Sequence, residues 1–240
     1  MNYLIQESEN VGKGADAVIS MVDHFFNKKG IGEKHLIIHA DNCSGQNKNN
    51  AMIHYLAWRV LTGQHTKITY SFMVPGHTKF SPDGFFGLIK LKLKKAEADD
   101  LDDLIKNVVE KSTRGNFNIA QPIFNENGDR EVFFYYWTEY FNKVFKHVPN
   151  LLKYYHFIFD SECPNIIKAK KTLDGELEEI AILKNVNLLN TTELKEKLPI
   201  GISLERQWYL YDNVREHVQN PNKRDIYCPH PLLPRPSKKH

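Results

Sequence analysis

Apolar residues in the first part of the chain alternate between short strand-like runs and helix-like spacing. The pattern predicts strands at residues 3–7, 35–40 and 67–74, and helices at residues 15–26 and 51–61 and from residue 81 onward. The run HLIIHA at 35–40 is apolar up to Asp41, which is typical of a strand covered on both faces. Strands and helices alternating at these lengths indicate a sheet with parallel neighbours and crossover helices, so the predicted class is α/β.

Two of the predicted helices have clear capping signals at their start. Asn49 and Asn50 precede the densely apolar segment 51–61, which predicts a largely buried helix with an asparagine N-cap. The sequence Ser-Pro-Asp at 81–83 supplies an N-cap serine, a proline at the first helical position and an acid in the first turn.

The signals after residue 103 are mixed. The aromatic run at 131–145 predicts a strand followed by a helix with Thr138 as its cap, and residues 154–159 predict another strand. Residues 191–198 predict a short helix that ends at a proline, and residues 204–218 share one helical stripe.

The domain organisation follows from these patterns. We predict a partial core domain at residues 1–100, a mixed α+β C-terminal extension at 101–220 and a proline-rich tail at 221–240. The tail has no periodic apolar pattern, which indicates an extended or disordered segment.

The composition is that of a soluble globular protein. The chain of 240 residues has 41% hydrophobic and 25% charged residues, and its mean hydropathy is −0.49. A chain of this length can bury a sizeable core, which excludes the mini-protein classes and wholesale disorder. A net charge of +3 and a pI near 8.6 are only mildly basic, so any binding of nucleic acid has to come from local patches.

Cysteine usage and hydropathy indicate an intracellular protein. The three cysteines have no CxxC spacing, which fits a reducing compartment better than a disulfide framework. The sequence has neither a run of about eighteen apolar residues nor a signal-peptide pattern, so we expect no membrane partner.

Two carboxylates are the main candidates for chemistry. Asp41 follows a predicted buried strand, and Asp83 lies in the first turn of a helix that begins after the next strand. Because the carboxyl ends of parallel strands open onto the ligand crevice of an α/β sheet, the two can meet there and bind Mg²⁺ or Mn²⁺. The alternative for Asp83 is a helix-start charge that the macrodipole favours.

Polar residues near these carboxylates are candidate ligand contacts. Asn42, Gln46 and Asn47 can coordinate a metal, orient water or bind phosphate, or else close their own loop as turns. His77 and Lys79 can contact phosphate, or belong to a solvated loop. Zinc is disfavoured because the neighbouring histidines and cysteine lack zinc-ligand spacing: His39, Cys43, His54 and His77.

The strongest basic patch follows Asp83. Lys90, Lys92 and Lys94 would track the backbone of DNA or RNA, although a solvated helix face explains them equally well. The acidic stretch at 97–103 is assigned no chemistry.

Two long segments resemble a known family. The words HADNCSGQNKNNAMIHYLAWRVLTG and SFMVPGHTKFSPDGFFGLIK closely resemble a eukaryotic domain family found in proteins of transposable-element origin. That family has no assigned activity and is similar to ribonuclease H-like transposases and integrases. The resemblance is strong over residues 1–95 and looser up to residue 183.

The resemblance implies a ribonuclease H-like mixed sheet in which residues 35–40 form the fourth strand and residues 67–74 the fifth. Asp41 and Asp83 then match two of the three acidic positions of such enzymes. We expect the domain to be N-terminally truncated, because the first two strands and the first-strand aspartate are missing. Glu7 and Asp16 are the acids that could approach the site instead.

The function implied is that of a transposable-element-derived domain related to metal-dependent phosphoryl transfer on nucleic acid, with Asp41 and Asp83 as catalytic metal ligands. With one ligand missing, we expect the chain alone to be inactive. A non-catalytic nucleic-acid or protein-binding module is the alternative, and a nucleotide hydrolase is a third possibility. Nuclear localisation follows only from the resemblance, and the sequence determines neither the oligomeric state nor a preference for DNA or RNA.

Overall fold

The chain folds into two compact units. The computed structural model describes residues 1–73, 81–115, 117–184 and 193–236. The first unit, here called the helix-rich unit, comprises Met1–Asn10, Lys79–Glu131 and Pro199–His240, and the second, the sheet unit, comprises Val11–Thr78 and Val132–Leu198. Both units are assembled from separate stretches of the chain, whereas the sequence pattern predicted contiguous domains.

Strands and short helices alternate along most of the described chain. The strands are β1 (Asn2–Leu4), β2 (His35–Ala40), β3 (Lys67–Phe72), β4 (Ala120–Pro122), β5 (His156–Asp160), β6 (Ile166–Lys170) and β7 (Glu178–Ala181). The α-helices are α1 (Ala15–Lys29), α2 (Asn50–Leu61), α3 (Ser81–Leu93), α4 (Leu101–Asp103), α5 (Trp137–Val144), α6 (Leu204–Tyr209) and α7 (Pro221–Tyr227).

The sheet unit is built around a five-stranded mixed sheet in the order β2-β3-β5-β6-β7. Strands β2 and β3 are parallel and connected through α2, and every other neighbouring pair is antiparallel. The prediction of an α/β protein with a crossover helix is therefore confirmed. The predicted bounds of β2 are also confirmed, and the start of α2 is capped by the Asn49 side chain, which accepts a hydrogen bond from the Met52 N–H at 3.0 Å.

The two faces of this sheet differ in burial. Ile68, Tyr70 and Phe72 of β3 are buried in one core with apolar residues of α2 and α5. The residues that point to the opposite face are more exposed, and Ile37 at the middle of β2 is 70% exposed. The prediction that residues 35–40 are covered on both faces is therefore wrong. The reason is position, because β2 is the edge strand and pairs only with β3 among the described strands.

The second half of the sheet unit departs from the sequence prediction. The aromatic run gives helix α5 without a strand before it, and Thr138 does not cap that helix with its own hydroxyl. Instead, the Asp16 carboxylate accepts hydrogen bonds from the Thr138 N–H at 2.8 Å and the Thr138 hydroxyl at 2.6 Å. Residues 193–198, the described part of a predicted helix, form an isolated bridge between Tyr135 and Glu196 rather than a helix. Strands β6 and β7 were not predicted.

The helix-rich unit contains a short parallel pair, β1 with β4, and the helices α3, α4, α6 and α7. Helix α4 continues as a π-helical segment at Leu104–Val109 and a 3₁₀ turn at Glu110–Ser112. The tail predicted to lack structure begins with α7, because Asn220 caps that helix and Pro221 occupies its first position. In this unit the Lys223 ammonium lies 2.6 Å from Asp100 and 2.8 Å from Asp103, so the acidic stretch has a structural role.

Candidate functional site

Asp41 lies in the sheet unit directly after β2, at the edge where the parallel strands β2 and β3 both end. Its side chain is exposed. The Oδ1 atom accepts hydrogen bonds from the Cys43 N–H at 3.0 Å and from the Asn47 amide at 2.7 Å. The carboxylate thus shapes the start of the loop and stands at the position where open α/β sheets bind ligands.

The loop after Asp41 satisfies most of its own polar groups. The Cys43 carbonyl accepts three backbone hydrogen bonds, from the N–H groups of Gln46, Asn47 and Lys48. The Gln46 amide donates to the Lys13 carbonyl at 3.2 Å. Backbone hydrogen bonds therefore close the turn, and the Gln46 side chain ties the loop to residue 13. A direct role for Asn42, Gln46 or Asn47 in ligand binding stays a prediction.

Lys48 is a feature of this loop that the sequence analysis missed. Its side chain is buried, and its ammonium donates to Asn42 Oδ1 at 3.1 Å and lies 3.7 Å from the ring centre of Tyr155. The Asn42 amide in turn donates to the Met73 carbonyl, at the end of β3. Burial lowers the pKa of Lys48. The burial of Lys48 could not be predicted from the polar loop around it, because its partner Tyr155 lies more than a hundred residues away in the sequence.

A second missed feature is a row of polar residues across four strands. His39, Ser71, His156 and Lys170 are consecutive cross-strand neighbours on β2, β3, β5 and β6. The Ser71 hydroxyl lies 2.9 Å from His156 Nδ1, within hydrogen-bond distance. Burial lowers the pKa of His156, and the positive charges of Lys170 and His39 lower it further. On this face of the sheet His39 is exposed, His156 and Lys170 are half-buried, and Ser71 is buried.

Asp83 belongs to the helix-rich unit, where it is an exposed residue in the first turn of α3. The predicted helix start at Ser81 is confirmed. Asp41 and Asp83 lie in different compact units, so their meeting at one metal site stays a prediction. The two substitute acids have other partners: Glu7 pairs with the Arg206 guanidinium, and Asp16 binds the start of α5.

The described residues do not form a metal centre. Within residues 1–73, 81–115, 117–184 and 193–236, no group of three or more histidine, cysteine and carboxylate side chains is placed to hold a metal ion. His54, considered for zinc, instead packs in the core of the sheet unit with its ring stacked 5.1 Å from that of Phe145. Its Nε2 bonds the Lys146 carbonyl at 2.9 Å, and burial lowers the pKa of His54 to about 4. Binding of Mg²⁺ or Mn²⁺ by Asp41 and Asp83 stays a prediction.

The predicted nucleic-acid contacts lie on and before α3. His77 and Lys79 lie outside the described residues. Lys90 and Lys94 are exposed and Lys92 is half-buried, and the Lys90 ammonium lies 4.7 Å from the ring centre of Phe86.

The helix α3 also exposes apolar side chains beside these lysines. Phe86 is 52% exposed and Leu91 is 56% exposed. In the same unit Phe117 is 68% exposed, and its ring centre lies 6.1 Å from that of Phe85. The buried Asn118 amide donates to the Phe85 carbonyl at 3.0 Å, which fixes the segment carrying Phe117 against α3. Exposed aromatic, apolar and basic side chains therefore lie on and next to α3, and this set is here called the α3 surface: Phe85, Phe86, Lys90, Leu91, Lys94 and Phe117.

Comparison with known proteins identifies a family whose function is unknown. A family model described as a domain of unknown function (DUF7869) matches residues 6–173. No curated protein and no solved structure matches the chain. None of the described helices is both long and apolar enough to cross a membrane.

Proposed function

The chain belongs to the DUF7869 family of domains of unknown function, and we propose that it is a nucleic-acid-binding domain that holds single strands of DNA or RNA on the α3 surface. The observation that carries the proposal is the presence of exposed phenylalanine rings beside lysines on one surface of the helix-rich unit.

The aromatic side chains supply the first part of the argument. An exposed phenylalanine ring is costly to keep in water, and Phe86 and Phe117 each leave more than half of their surface accessible. Single-stranded nucleic acids stack their bases on such rings, and each stacked base is worth about 1–3 kcal/mol. A base pair inside a duplex does not offer its face in this way, so the rings favour single strands.

The lysines supply the second part. Lys90 on α3 and Lys94 just after its last residue are both exposed, and none of the described ion pairs includes them. Each ammonium that contacts a phosphate releases a condensed counterion, so affinity falls as salt rises. A merely solvated helix face would be polar, whereas this one exposes Phe86 and Leu91 between its lysines. The mixed surface therefore favours a partner over water.

The test is fluorescence anisotropy with labelled oligothymidine, oligouridine and duplex DNA at several salt concentrations. We expect single strands to bind more tightly than duplex, with affinity falling as salt rises. Phe86→Ala with Phe117→Ala should weaken binding by about tenfold or more because two stacking contacts are lost. Lys90→Glu with Lys94→Glu should weaken binding and flatten the salt dependence.

The matched control is Lys29→Glu with Lys153→Glu, which changes the net charge equally at exposed lysines of the sheet unit. This control should bind almost as the wild type does. Equal loss in the control and in the α3 variants would indicate a general charge effect, and unchanged binding in all variants would overturn the proposal.

Metal-dependent cleavage of nucleic acid is the second candidate, and the position of Asp41 at the carboxyl end of two parallel strands favours it. Because the described residues do not complete a metal centre, we expect little or no cleavage by the chain alone. Incubating the same oligonucleotides with Mn²⁺ tests this. Robust cleavage that Asp41→Asn abolishes would make the nuclease the leading function, whereas binding that ignores Asp41→Asn supports a module without catalysis.

A further inference from the structure

We propose that the more exposed face of the sheet unit carries a phosphate-binding site flanked by His39 and Lys170, with the buried Ser71 and the half-buried His156 at its centre. The site would take the oxygens of a phosphate group, either free or at the end of a nucleic-acid strand. It lies on a different unit from the α3 surface and does not depend on nucleic-acid binding there.

The sheet register places the four side chains together. His39 pairs with Ser71, Ser71 with His156, and His156 with Lys170, on four adjacent strands. Directly paired residues point to the same face of a sheet, with their Cβ atoms about 5 Å apart. Ser71 and His156 are therefore the centre of the row, and His39 and Lys170 stand on either side of them.

The hydrogen bond between Ser71 and His156 prepares a donor. His156 is held in its neutral form near pH 7, because burial and the nearby charges lower its pKa. When the Ser71 hydroxyl donates to Nδ1 of this neutral ring, the proton of the ring resides on Nε2, which is then a hydrogen-bond donor. Lys170 adds a charged donor, whose Nζ also donates a hydrogen bond to the Leu173 carbonyl at 3.3 Å.

The charge balance of the row indicates an anion rather than a cation as the ligand. Lys170 and His39 both act electrostatically on His156, and none of the four residues is acidic. The row therefore presents the Lys170 ammonium and neutral donors without a carboxylate of its own, and this favours an anion.

The nearby carboxylates are already engaged. On the same face Asp160 lies 3.9 Å from the Lys67 ammonium, and Glu179 is the cross-strand neighbour of Lys168. Asp41 follows His39 by two residues, and its Oδ1 is bonded to the Cys43 N–H and the Asn47 amide. Among the described residues of this face, the row that contains Ser71 and His156 has hydrogen-bond donors but no carboxylate, whereas the other rows include Asp160 or Glu179.

The experiment is an NMR titration of the histidine side chains of the whole chain with inorganic phosphate, with chloride at matched ionic strength as the reference. We expect phosphate to shift the His39 and His156 resonances saturably and to raise the pKa of His156, because the anion favours the protonated ring. Lys170→Met and Ser71→Ala should each weaken phosphate binding at least fivefold. His35→Gln and Lys168→Met, on the same face outside the row, should leave it unchanged.

The outcomes separate the sources of phosphate and the two proposals. A 5′-phosphorylated oligonucleotide that shifts His156 more than its 5′-hydroxyl counterpart would identify a terminal phosphate as the ligand, and equal shifts would identify free phosphate. Lys90→Glu with Lys94→Glu should not affect the phosphate titration. Shifts no larger than those caused by chloride, or unchanged binding by Lys170→Met, whose partly exposed side chain the fold does not require, would overturn the proposal.

Discussion

The ammonium of Lys48 lies 3.7 Å from the ring centre of Tyr155, which is the residue just before β5. The same ammonium donates to the Asn42 side-chain oxygen, so one buried cation connects the loop after β2 to the start of β5, the central strand of the sheet. A buried cation without a carboxylate among its described contacts depends on such contacts to offset its desolvation.

We predict that the pair of Lys48 and Tyr155 is energetically coupled. A double-mutant cycle with Lys48→Met and Tyr155→Leu should give a coupling free energy of about 1–2 kcal/mol in urea unfolding, because the cation–π contact is desolvated. The control is the exposed pair Lys90 and Phe86, whose ammonium lies 4.7 Å from the ring centre. A coupling as small as that of the control would contradict the prediction.

The ion pair of Asp23 and Arg59 predicts a large loss of stability when its acid is removed. Asp23 accepts hydrogen bonds from the Arg59 guanidinium at 3.1 Å and from the Tyr55 hydroxyl at 2.9 Å. Asp23→Ala leaves the arginine charge buried without a counter-charge, which should lower the free energy of unfolding by about 3 kcal/mol. Glu139→Ala removes an exposed pair with Lys143 in the same unit and should cost less than about 0.5 kcal/mol. Similar costs for both variants in urea unfolding would refute this.

The buried His54 predicts a loss of stability in mild acid. The pKa of this ring is 6.5 in its ordinary state and about 4 in the fold, so between these pH values the unfolded chain binds a proton that the folded chain rejects. The contribution to stability is complete above pH 6.5 and falls as the pH drops towards 4, by about 3 kcal/mol at most. His54→Gln should flatten the pH dependence of unfolding over this range, whereas the exposed variant His35→Gln should not. A wild-type slope retained in His54→Gln would assign the acid sensitivity to other groups.

We predict that Asp16 stabilises the fold and takes no part in nucleic-acid binding or cleavage. Its carboxylate bonds the N–H and hydroxyl of Thr138 at the start of α5, so Asp16→Ala should lower the free energy of unfolding by about 1–2 kcal/mol. Asn49→Ala, which removes the cap of α2, should cost a similar amount. Neither variant should alter oligonucleotide binding, measured at a temperature where both remain folded. A specific loss of binding or of Mn²⁺-dependent cleavage in Asp16→Ala alone would return this residue to the candidate site.

Local signals in the sequence predicted the elements that form from contiguous residues. Strand β2, helix α2 and the start of α3 follow from an apolar run, an asparagine cap and a Ser-Pro-Asp start. The exposure of Ile37 could not be predicted from the sequence, because an apolar run looks the same whether the strand lies at the edge or in the centre of a sheet. Strands β6 and β7 are short and carry many lysines and glutamates, which weakens the strand signal.

The candidate site could be predicted only in part for a related reason. Asp41 is found by its place after a strand, which is a local property. The partnership of Ser71 with His156, and that of Lys48 with Tyr155, joins residues far apart in the chain, and no spacing rule brings them together. Asp16 was considered for chemistry because the family resemblance leaves the first-strand aspartate missing. Its role at the start of α5 is visible only once Thr138 is placed beside it.

The pairing of β3 with β5 sets an order of events during protein synthesis. Lys67 pairs with Asp160, so β3 leaves the ribosome long before its antiparallel partner exists. Translation adds roughly 5–20 residues per second, which leaves the second edge of β3 unpaired for several seconds. During that time the nascent chain presents an apolar strand edge to neighbouring polypeptides, and a chaperone that shields it would determine how much of the protein reaches its folded state.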